Sequence, residues 1–398
     1  MASPKLAFAI SANARVDEPF SARLIVRGGD PDATEIIECT IPDGLGLTYR
    51  AADRSVHGTP TRSGDFSLTV RYRFHGTSED RPQMTANVPL TVNPDPRTLW
   101  QDRPSDRNAP GWKPDADGCL IPAGAGRRIL AASKRGRSHA HFGGFRDDDF
   151  CVRVRDDSPW SLIAVTDGAG SAEQARTGSR IVANVAADFA AERLAGELGD
   201  ALTLAAKGIP EADPVATRQM RTKAYEVLGG AALAAVKAIE ETADRQGLSP
   251  RDYATTLLLA AHRMLGDEHI VITFWAGDGA MVVLEEAGAT LLGEPDGGAF
   301  AGQTRFLDRS IVGDANEIMT RIHVLRVSDL LGLLVMTDGV SDAHFASDQA
   351  LAEKAAWDAF WGQVQPILEA EDPVADLLRW LDFWSPGNHD DRTIAIFW

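Results

Sequence analysis

The N-terminal part of the chain combines short apolar runs with turn signals, which predicts an all-β region over residues 1–95. Phe66, Leu68, Val70 and Tyr72 alternate with polar residues, so this segment would bury one face and leave the other in water. Runs rich in β-branched and large residues recur at intervals of roughly 8–12 residues, between turns that contain Gly, Pro or Asp. Such spacing favours a small β-sandwich.

The first apolar run allows two interpretations. Lys5 precedes an apolar run of five residues at 6–10, and small residues follow it, an order that also occurs in signal peptides. A signal peptide needs an apolar segment of roughly 7–15 residues. We therefore predict a first β-strand at this place.

A proline-rich stretch separates the β region from the rest of the chain. Six prolines lie between residues 93 and 125, together with several glycines and aspartates. Proline and glycine interrupt both helices and strands. We predict a linker over 96–128, without long regular structure.

From residue 129 to 398, strand and helix patterns alternate. Helical periodicity predicts two long helices, at 173–194 and at 215–244, of which the second is broken or bent near Gly229-Gly230. Short apolar runs predict strands at 161–166, 256–261, 269–275, 322–327, 333–336 and 392–398. Helices in pairs and strands in hairpin-like series favour a layered α+β domain over a parallel sheet.

The composition limits the classes of function. The chain has 398 residues, of which 44% are hydrophobic and 24% charged, as in ordinary globular proteins. Its formal net charge of −17 argues against a general binder of nucleic acid or of anionic membranes. Three scattered cysteines without a CxxC spacing argue against a disulfide framework and favour the reducing cytoplasm. No run approaches the ~18 apolar residues of a membrane span.

Aspartates recur at the ends of apolar strand patterns from residue 147 onward. They stand at Asp147-Asp148-Asp149, Asp167-Gly168, Asp278-Gly279, Asp338-Gly339 and Asp390-Asp391. A carboxylate at a strand end is held at a fixed height above the sheet, and a neighbouring glycine lets the backbone approach a ligand. Converging carboxylates repel one another unless cations lie between them, and oxygen ligands of this kind suit Mg²⁺ or Mn²⁺.

Each of these motifs also has a simpler explanation. A single Asp-Gly after a strand is usually a turn, and Asp278-Gly279 between two strands is typical of a hairpin. Three aspartates in a row at 147–149 are typical of a solvated loop. The recurrence of one arrangement in five places favours the metal interpretation.

The order of these motifs resembles the protein phosphatase 2C family of metal-dependent serine/threonine phosphatases, from about residue 129 to the C-terminus. The family carries an early acidic pair, then D-G-x-G, G-S, T-T, G-D-[SG], D-G-[VL]-x-[DE] and D-[ND]-x-[ST]. This chain has, in the same order, Asp147-Asp148, Asp167-Gly168-Ala169-Gly170, Gly178-Ser179, Thr255-Thr256, Gly277-Asp278-Gly279, Asp338-Gly339-Val340-Ser341-Asp342 and Asp390-Asp391-Arg392-Thr393. The resemblance implies a four-layer αββα sandwich, in which two antiparallel sheets pack between helix pairs.

A second resemblance concerns the N-terminal region. Bacterial immunoglobulin-like, cadherin-like modules carry a pattern close to P-x-G-L-x-L followed by G-x-P-x-x-x-G-x-F. The chain has Pro42-Asp43-Gly44-Leu45-Gly46-Leu47, then Gly58-Thr59-Pro60 and Gly64-Asp65-Phe66. The resemblance implies an immunoglobulin-like sandwich that serves as an interaction or spacer module.

The phosphatase resemblance also implies roles for individual residues. It implies two Mn²⁺ or Mg²⁺ ions, with a third and weaker position, and a water activated between the two ions. Asp167 would bridge both ions, and the carbonyl of Gly168 would complete the second. On the side of the first ion, the ligands would be Asp148, Asp147 through a water, Asp338 and Asp390. Asp278 is the candidate for the weaker position, and Asp342 is a further candidate.

The chain departs from the family pattern at two positions. Many members have a histidine after the Asp-Gly pair, where this chain has Ala169, and an arginine four residues before the first acidic residue, where it has Gly143. The preceding basic stretch offers replacements. Arg137 or Arg135 would bind phosphate, and His139 or His141 would protonate the leaving oxygen. The alternative is a solvated basic loop.

Three functions fit this sequence. The first is a phosphatase that acts on phosphoserine and phosphothreonine in proteins. The second is a phosphatase-like scaffold or sensor without catalysis, and the third is a hydrolase of small phosphoesters. Retention of Asp148, Asp167, Asp338 and Asp390 favours an enzyme. The pairing of such a module with a phosphatase resembles bacterial gene clusters that include a kinase, which makes a partner serine/threonine kinase a candidate.

Overall fold

The computed structural model describes residues 6–398 except 28–29, 75–82, 208–213, 294–295, 297–303 and 348. The chain forms two compact units, Met1–Gln101 and Asp102–Trp398. We call them the N-terminal unit and the C-terminal unit. None of the helices in the described ranges combines the length and the apolar composition that a membrane crossing needs.

The N-terminal unit is all β apart from one short 3₁₀ turn at Pro96–Leu99. Its strands are β1 (Ala7–Ile10), β2 (Ala14–Arg15), β3 (Phe20–Arg27), β4 (Thr34–Thr40), β5 (Leu47–Arg50), β6 (Ser55–Gly58), β7 (Gly64–Phe74) and β8 (Met84–Asn93). They form two four-stranded sheets, β1-β3-β6-β5 and β2-β8-β7-β4. In β7 the side chains of Leu68, Val70 and Tyr72 are fully buried, as the alternation predicts. The all-β prediction is confirmed, and the immunoglobulin-like topology stays a prediction.

The C-terminal unit contains two antiparallel sheets. Its strands are β9 (Ala116–Pro122), β10 (Arg128–Lys134), β11 (Asp149–Val154), β12 (Trp160–Thr166), β13 (Leu257–Leu265), β14 (Glu268–Ala276), β15 (Ala280–Glu285), β16 (Gly288–Leu291), β17 (Ile322–Val327), β18 (Gly332–Met336) and β19 (Arg392–Phe397). One sheet has the order β16-β15-β18-β19-β10-β9, and the other has the order β11-β12-β13-β14-β17. Their facing sides share a core that includes Ile163, Val165, Leu258, Val335 and Phe397.

Helices cover both outer faces of this pair of sheets. They are α1 (Arg137–Phe142), α2 (Ala175–Leu194), α3 (Glu197–Lys207), α4 (Pro214–Ala224), α5 (Gly230–Gln246), α6 (Arg309–Val312), α7 (Ala315–Thr320), α8 (Asp338–His344), α9 (Lys354–Leu368) and α10 (Pro373–Trp380). A second core joins α2 and α5 to the five-stranded sheet, and a third joins α8, α9 and α10 to the six-stranded sheet. These layers confirm the predicted α+β, four-layer αββα class.

The segment predicted as a linker differs from that prediction in its second half. Strand β9 occupies 116–122 and pairs with β10 along seven residue pairs, from Arg128 opposite Pro122 to Lys134 opposite Ala116. The side chains of Cys119 and Ile121 pack against the core between the sheets. The C-terminal unit therefore begins at Asp102. The prolines of this segment indicated a linker. Pro122 nevertheless ends β9, because an edge strand tolerates proline at its end.

The second long helix is interrupted next to the break predicted near Gly229-Gly230. The pattern over 215–244 becomes α4 and α5, joined by a π-helical turn at Tyr225–Gly229. A Cβ on residue 230 would lie 2.7 Å from the ring of Phe189 in α2, so glycine is required for the two helices to pack this closely. The irregular turn lies directly before this close contact.

Candidate metal centre

The strand ends at one edge of the two sheets carry the predicted aspartates. Asp167 directly follows β12, and Asp338 follows β18 after one threonine. Asp148 and Asp390 instead precede β11 and β19, which differs from the prediction that each aspartate ends a strand. Both sheets are antiparallel, so the start of one strand and the end of its neighbour meet at the same edge. The prediction of converging aspartates therefore does not depend on strand direction.

Asp148 is a buried carboxylate with defined hydrogen bonds. Asp148 is only 1% exposed. Its Oδ2 accepts hydrogen bonds from the hydroxyls of Thr337 and Thr393, both at 2.8 Å. Burial, and then the charges of Asp391 and Asp390, raise the pKa of Asp148 to about 8. The ionised form of this carboxylate is therefore disfavoured unless a positive charge is nearby.

Asp167 is held through its backbone by the Thr255-Thr256 pair. The amide of Asp167 donates to the hydroxyl of Thr256 at 2.8 Å, and its carbonyl accepts from the hydroxyl of Thr255 at 2.8 Å. These contacts fix the end of β12 and leave the carboxylate to face the other aspartates. Burial and the charges of Asp148, Asp338, Asp390 and Asp278 raise the pKa of Asp167 well above its usual range.

The Gly277-Asp278-Gly279 segment is a crossing between sheets, so the hairpin interpretation of it is wrong. It joins β14 to β15, and these strands belong to different sheets. Gly277 has a φ of 137°, and a Cβ there would lie 2.6 Å from the side chain of Thr256, so only glycine fits. Asp278 Oδ2 accepts a hydrogen bond from the hydroxyl of Thr304. The other oxygen, Oδ1, is buried and has no hydrogen-bond partner among the described residues.

Three of the carboxylates meet closely enough to share a cation. Oxygen atoms of Asp167, Asp278 and Asp338 all lie within 4.8 Å of one another. Burial, followed by the charges of Asp278, Asp390, Asp148 and Asp342, raises the pKa of Asp338 well above its usual range. The unpartnered Oδ1 of Asp278 and the all-oxygen donor set fit a hard divalent cation such as Mg²⁺ or Mn²⁺.

A second group of ligand atoms lies beside the first. Atoms of His139, Asp390 and Asp391 are also within 4.8 Å of one another. His139, on α1, places Nδ1 at 3.0 Å from Asp391 Oδ1 and Nε2 at 3.9 Å from Asp147 Oδ2. Burial lowers the pKa of His139, but the pairing with Asp391 and the charges of Asp147 and Asp390 outweigh it and raise that pKa to about 10. His139 is therefore a cation at neutral pH.

Gly168 brings the end of β12 against the loop with three aspartates at 147–149, which we call the acidic loop. A Cβ at this position would lie 2.7 Å from the carbonyl oxygen of Asp147 and 2.9 Å from that of Ala175. Glycine is therefore required for these backbones to touch. The carboxyl groups of Asp147 and Asp167 are brought to the same side of the site through this contact.

The structure changes the interpretation of the basic stretch before Asp147. Arg137 donates to the backbone carbonyls of Phe383 at 2.9 Å and Asp382 at 2.5 Å. Arg135, whose side chain is 4% exposed, pairs with Asp102 and donates to the carbonyls of Arg103 and Gly144, all at 2.9 Å. Both guanidinium groups thus donate to backbone carbonyls of the protein, and phosphate binding by either one stays a prediction.

The two histidines of that stretch differ in their surroundings. His139 lies against the site carboxylates, whereas His141 packs edge-on against the ring of Phe142 with 4.9 Å between centroids. His139 therefore lies among the site carboxylates, and a catalytic role for either histidine stays a prediction.

Several residues at the site were missed in the sequence. They are Asp391, Thr304, Thr337, Thr393 and Lys113. Asp391 is 2% exposed and accepts from the backbone amides of Gly136 at 2.6 Å and Asp147 at 2.5 Å, so it joins the start of α1 to the acidic loop. The threonines adjoin named aspartates and could have been found as buried polar residues beside a motif. Lys113 had no such signal.

Residues 135–382 match the model of the family described as Protein phosphatase 2C. Similar solved structures include the RsbX protein in complex with magnesium, at 10% identity over 71% of this chain and 98% of that one, with a TM-score of 0.38. Another is a serine/threonine phosphatase of S. agalactiae, at 15% identity over 68% of this chain and 99% of that one, also with a TM-score of 0.38.

A third similar structure is PppA of Pseudomonas aeruginosa, described as a key regulatory component of T6SS. It is 16% identical over 68% of this chain and 96% of that one, with a TM-score of 0.35. No curated protein sequence matches the chain. The assignment to a family therefore depends on the match over 135–382.

Proposed function

The chain belongs to the protein phosphatase 2C family, and from this premise we propose that it is a metal-dependent phosphatase of phosphoserine and phosphothreonine in proteins. The observation that carries the proposal is the convergence of five aspartates from separate stretches of the chain. They are Asp148, Asp167, Asp278, Asp338 and Asp390. Asp148, Asp167, Asp338 and Asp390, to which the family resemblance gives the role of ligands, are all present.

The electrostatics of Asp167 support a position between two cations. Each of the other four carboxylates raises its pKa, so Asp167 lies where their negative charges overlap. Two bound Mn²⁺ or Mg²⁺ ions would lower the pKa of a water and neutralise the phosphoryl oxygens. Asp148 and Asp390 would bind one ion, and Asp338 and Asp278 would bind the other. The Gly168 carbonyl would add a backbone ligand.

We assign protonation of the leaving group to His139. Since its pKa is raised to about 10, it holds a proton at neutral pH and can donate one at Nε2, the nitrogen nearer Asp147. The leaving alkoxide of phosphoserine is strongly basic, so it needs such a donor. Asp391 keeps the ring in place through Nδ1. In this proposal Asp391 is a positioning residue.

The scaffold and the small-phosphoester hydrolase remain the alternatives. A protein that only binds partners has no need to keep five mutually repelling carboxylates, because their repulsion destabilises the fold. The N-terminal unit would then serve the enzyme as a docking or spacer module, and a partner serine/threonine kinase is the proposed source of substrate.

A phosphatase assay tests this proposal directly. The purified protein should hydrolyse p-nitrophenyl phosphate and a phosphoserine peptide in the presence of Mn²⁺, and EDTA should stop both reactions. Hydrolysis of p-nitrophenyl phosphate alone would favour the small-phosphoester alternative. Absence of turnover with excess Mn²⁺ and with excess Mg²⁺ would leave the scaffold interpretation.

A leaving-group comparison tests the role of His139. Replacing it by glutamine should lower kcat for the phosphoserine peptide by about 10²-fold or more, the usual contribution of a general acid. The effect on p-nitrophenyl phosphate should be much smaller, because nitrophenolate leaves without a proton. The measurement is the ratio of kcat for the two substrates in wild type and His139→Gln. Equal losses on both substrates would assign His139 a positioning role for Asp391 instead.

A further inference from the structure

Lys113 lies under the acidic loop, although it belongs to the stretch that the sequence predicts as a linker. Its side chain is 3% exposed. The ammonium donates to the carbonyl oxygen of Asp148 at 2.6 Å, to Asp149 Oδ2 at 2.9 Å and to the hydroxyl of Ser179 at 3.1 Å. The carbonyl oxygen of Asp147 lies 3.5 Å away. All three donors of the ammonium are therefore used inside the protein.

These contacts extend beyond an ion pair. A buried lysine that served only to neutralise Asp149 would need one carboxylate contact. Here the same ammonium also binds the backbone of the two residues that carry the proposed metal ligands Asp147 and Asp148. Ser179 in turn donates to the carbonyl of Asp147, so Lys113 ties this loop to α2.

The segment that carries Lys113 is itself fixed from several sides. We call residues 102–115 the strap. Arg146, which is 1% exposed, donates to the strap carbonyl of Pro114 at 3.0 Å and to the carbonyl of Asp148 at 3.1 Å. Arg176 donates to the strap carbonyl of Pro110 at 2.7 Å. Lys113 is thus held in place by residues that flank the acidic loop.

From this geometry we infer that Lys113 is a positioning residue of the metal centre, which fixes Asp147 and Asp148 by binding the carbonyl of Asp148 directly and that of Asp147 through Ser179. The inference rests on the proposed metal site. The ammonium also places a positive charge against the acidic loop. Metal affinity then depends on a segment that contains no metal ligand.

The test measures Mn²⁺ binding, separately from turnover. Isothermal titration with Mn²⁺ alone should give a dissociation constant at least about 10-fold weaker for Lys113→Met than for wild type, the lower end of the range for groups that orient ligands. Lys113→Arg, which keeps the charge and the donors, should recover part of this loss. The Mn²⁺ concentration that gives half-maximal turnover of p-nitrophenyl phosphate should rise by a similar factor.

A double variant separates positioning from simple charge pairing. The variant Lys113→Met/Asp149→Asn removes the ammonium together with the carboxylate that it pairs with. Loss of Lys113 then leaves no unpaired charge at residue 149. If Lys113 only balances Asp149, this variant should bind Mn²⁺ as tightly as wild type. We expect the weaker binding to persist, because the carbonyls of Asp147 and Asp148 still lack their donor.

Lys134→Met is the matched control, because Lys134 also pairs with an aspartate and a backbone carbonyl, Asp382 at 2.5 Å and Leu378 at 3.3 Å, away from the acidic loop. It should bind Mn²⁺ like wild type. Wild-type affinity in folded Lys113→Met would overturn the inference alone. Failure of wild type to bind Mn²⁺ would overturn the proposed function and this inference together. If both Lys113 variants failed to fold by circular dichroism, Lys113 would be a residue of the fold, and the inference would also be wrong.

Discussion

Replacing Asp338 by asparagine is expected to lower Mn²⁺-dependent hydrolysis of p-nitrophenyl phosphate by more than about 100-fold. Groups that only orient metal ligands cost about 10–100-fold when they are removed, so a ligand itself should cost at least as much. Asp338 lies within 4.8 Å of Asp167 and Asp278, where it would share a cation with them. The measurement is kcat/KM over a range of Mn²⁺ concentrations.

The same variant has an opposite expected effect on the metal-free protein. Burial and neighbouring charges raise the pKa of Asp338, which means that its ionised form destabilises the fold at neutral pH. In EDTA, Asp338→Asn should therefore melt at a higher temperature than wild type. Addition of Mn²⁺ should raise the melting temperature of wild type and have little effect on the variant.

Asp358→Asn is a matched control for this experiment. Asp358 lies on α9 in an exposed ion pair with Lys354, at 2.7 Å. Its replacement should leave both turnover and melting nearly unchanged, because exposed pairs contribute only about 0–1 kcal/mol. Normal turnover in Asp338→Asn, or a lower melting temperature in EDTA, would contradict the assignment of Asp338 as a ligand.

A chain shortened to residues 129–398 is expected not to fold, whereas one that begins at Asp102 should fold and keep its activity. The shorter chain lacks β9, which leaves β10 as an open edge along seven residues. It also lacks Lys113, so the buried side chain of Asp149 loses its ammonium partner and is left with Arg146 at 3.7 Å, which costs a part of the about 3–5 kcal/mol that an unpaired buried charge would cost. Typical domains have only about 5–15 kcal/mol of stability.

Soluble yield, circular dichroism and p-nitrophenyl phosphate turnover compare the two shortened chains with the full protein. The chain from 102 keeps the pairing of Arg135 with Asp102 and Asp115, so it is the proper control for loss of the N-terminal unit. A folded and active chain from 129 would show that the strap and β9 are dispensable. That result would restore the linker interpretation.

The fold class could be predicted from the sequence because the elements are strongly patterned. Fully buried strands such as β12 and β18 are continuous apolar runs, and the alternation in β7 marks its buried face. The strand β9 could not be predicted, because its apolar run is only three residues long, at 119–121, between glycine and proline. Pairing with β10 defines that strand, and pairing is a property of the folded chain.

The aspartates of the site could be predicted for a similar reason. Each stands beside a recognisable strand, and five such motifs in one order restrict the family strongly. Their supporting residues could not be predicted from local pattern. Lys113 and Asp148 are far apart in sequence, and only the folded strap places one beneath the other. Arg137 shows the converse, since a basic residue near the acids turned out to bind the carbonyls of residues 382 and 383.

The distribution of the ligands over both sheets has a consequence for the lifetime of the folded protein. Asp148 and Asp167 adjoin strands of the five-stranded sheet, while Asp338 and Asp390 adjoin strands of the six-stranded sheet. A cation held by Asp148 and Asp390 would cross-link the sheets at one edge, and the sheets could not separate there without releasing it. Contacts that must break before the transition state of unfolding act mainly on the unfolding rate. Divalent cations should therefore protect this enzyme from proteolysis as well as activate it, and the same ions would set both its turnover and its persistence.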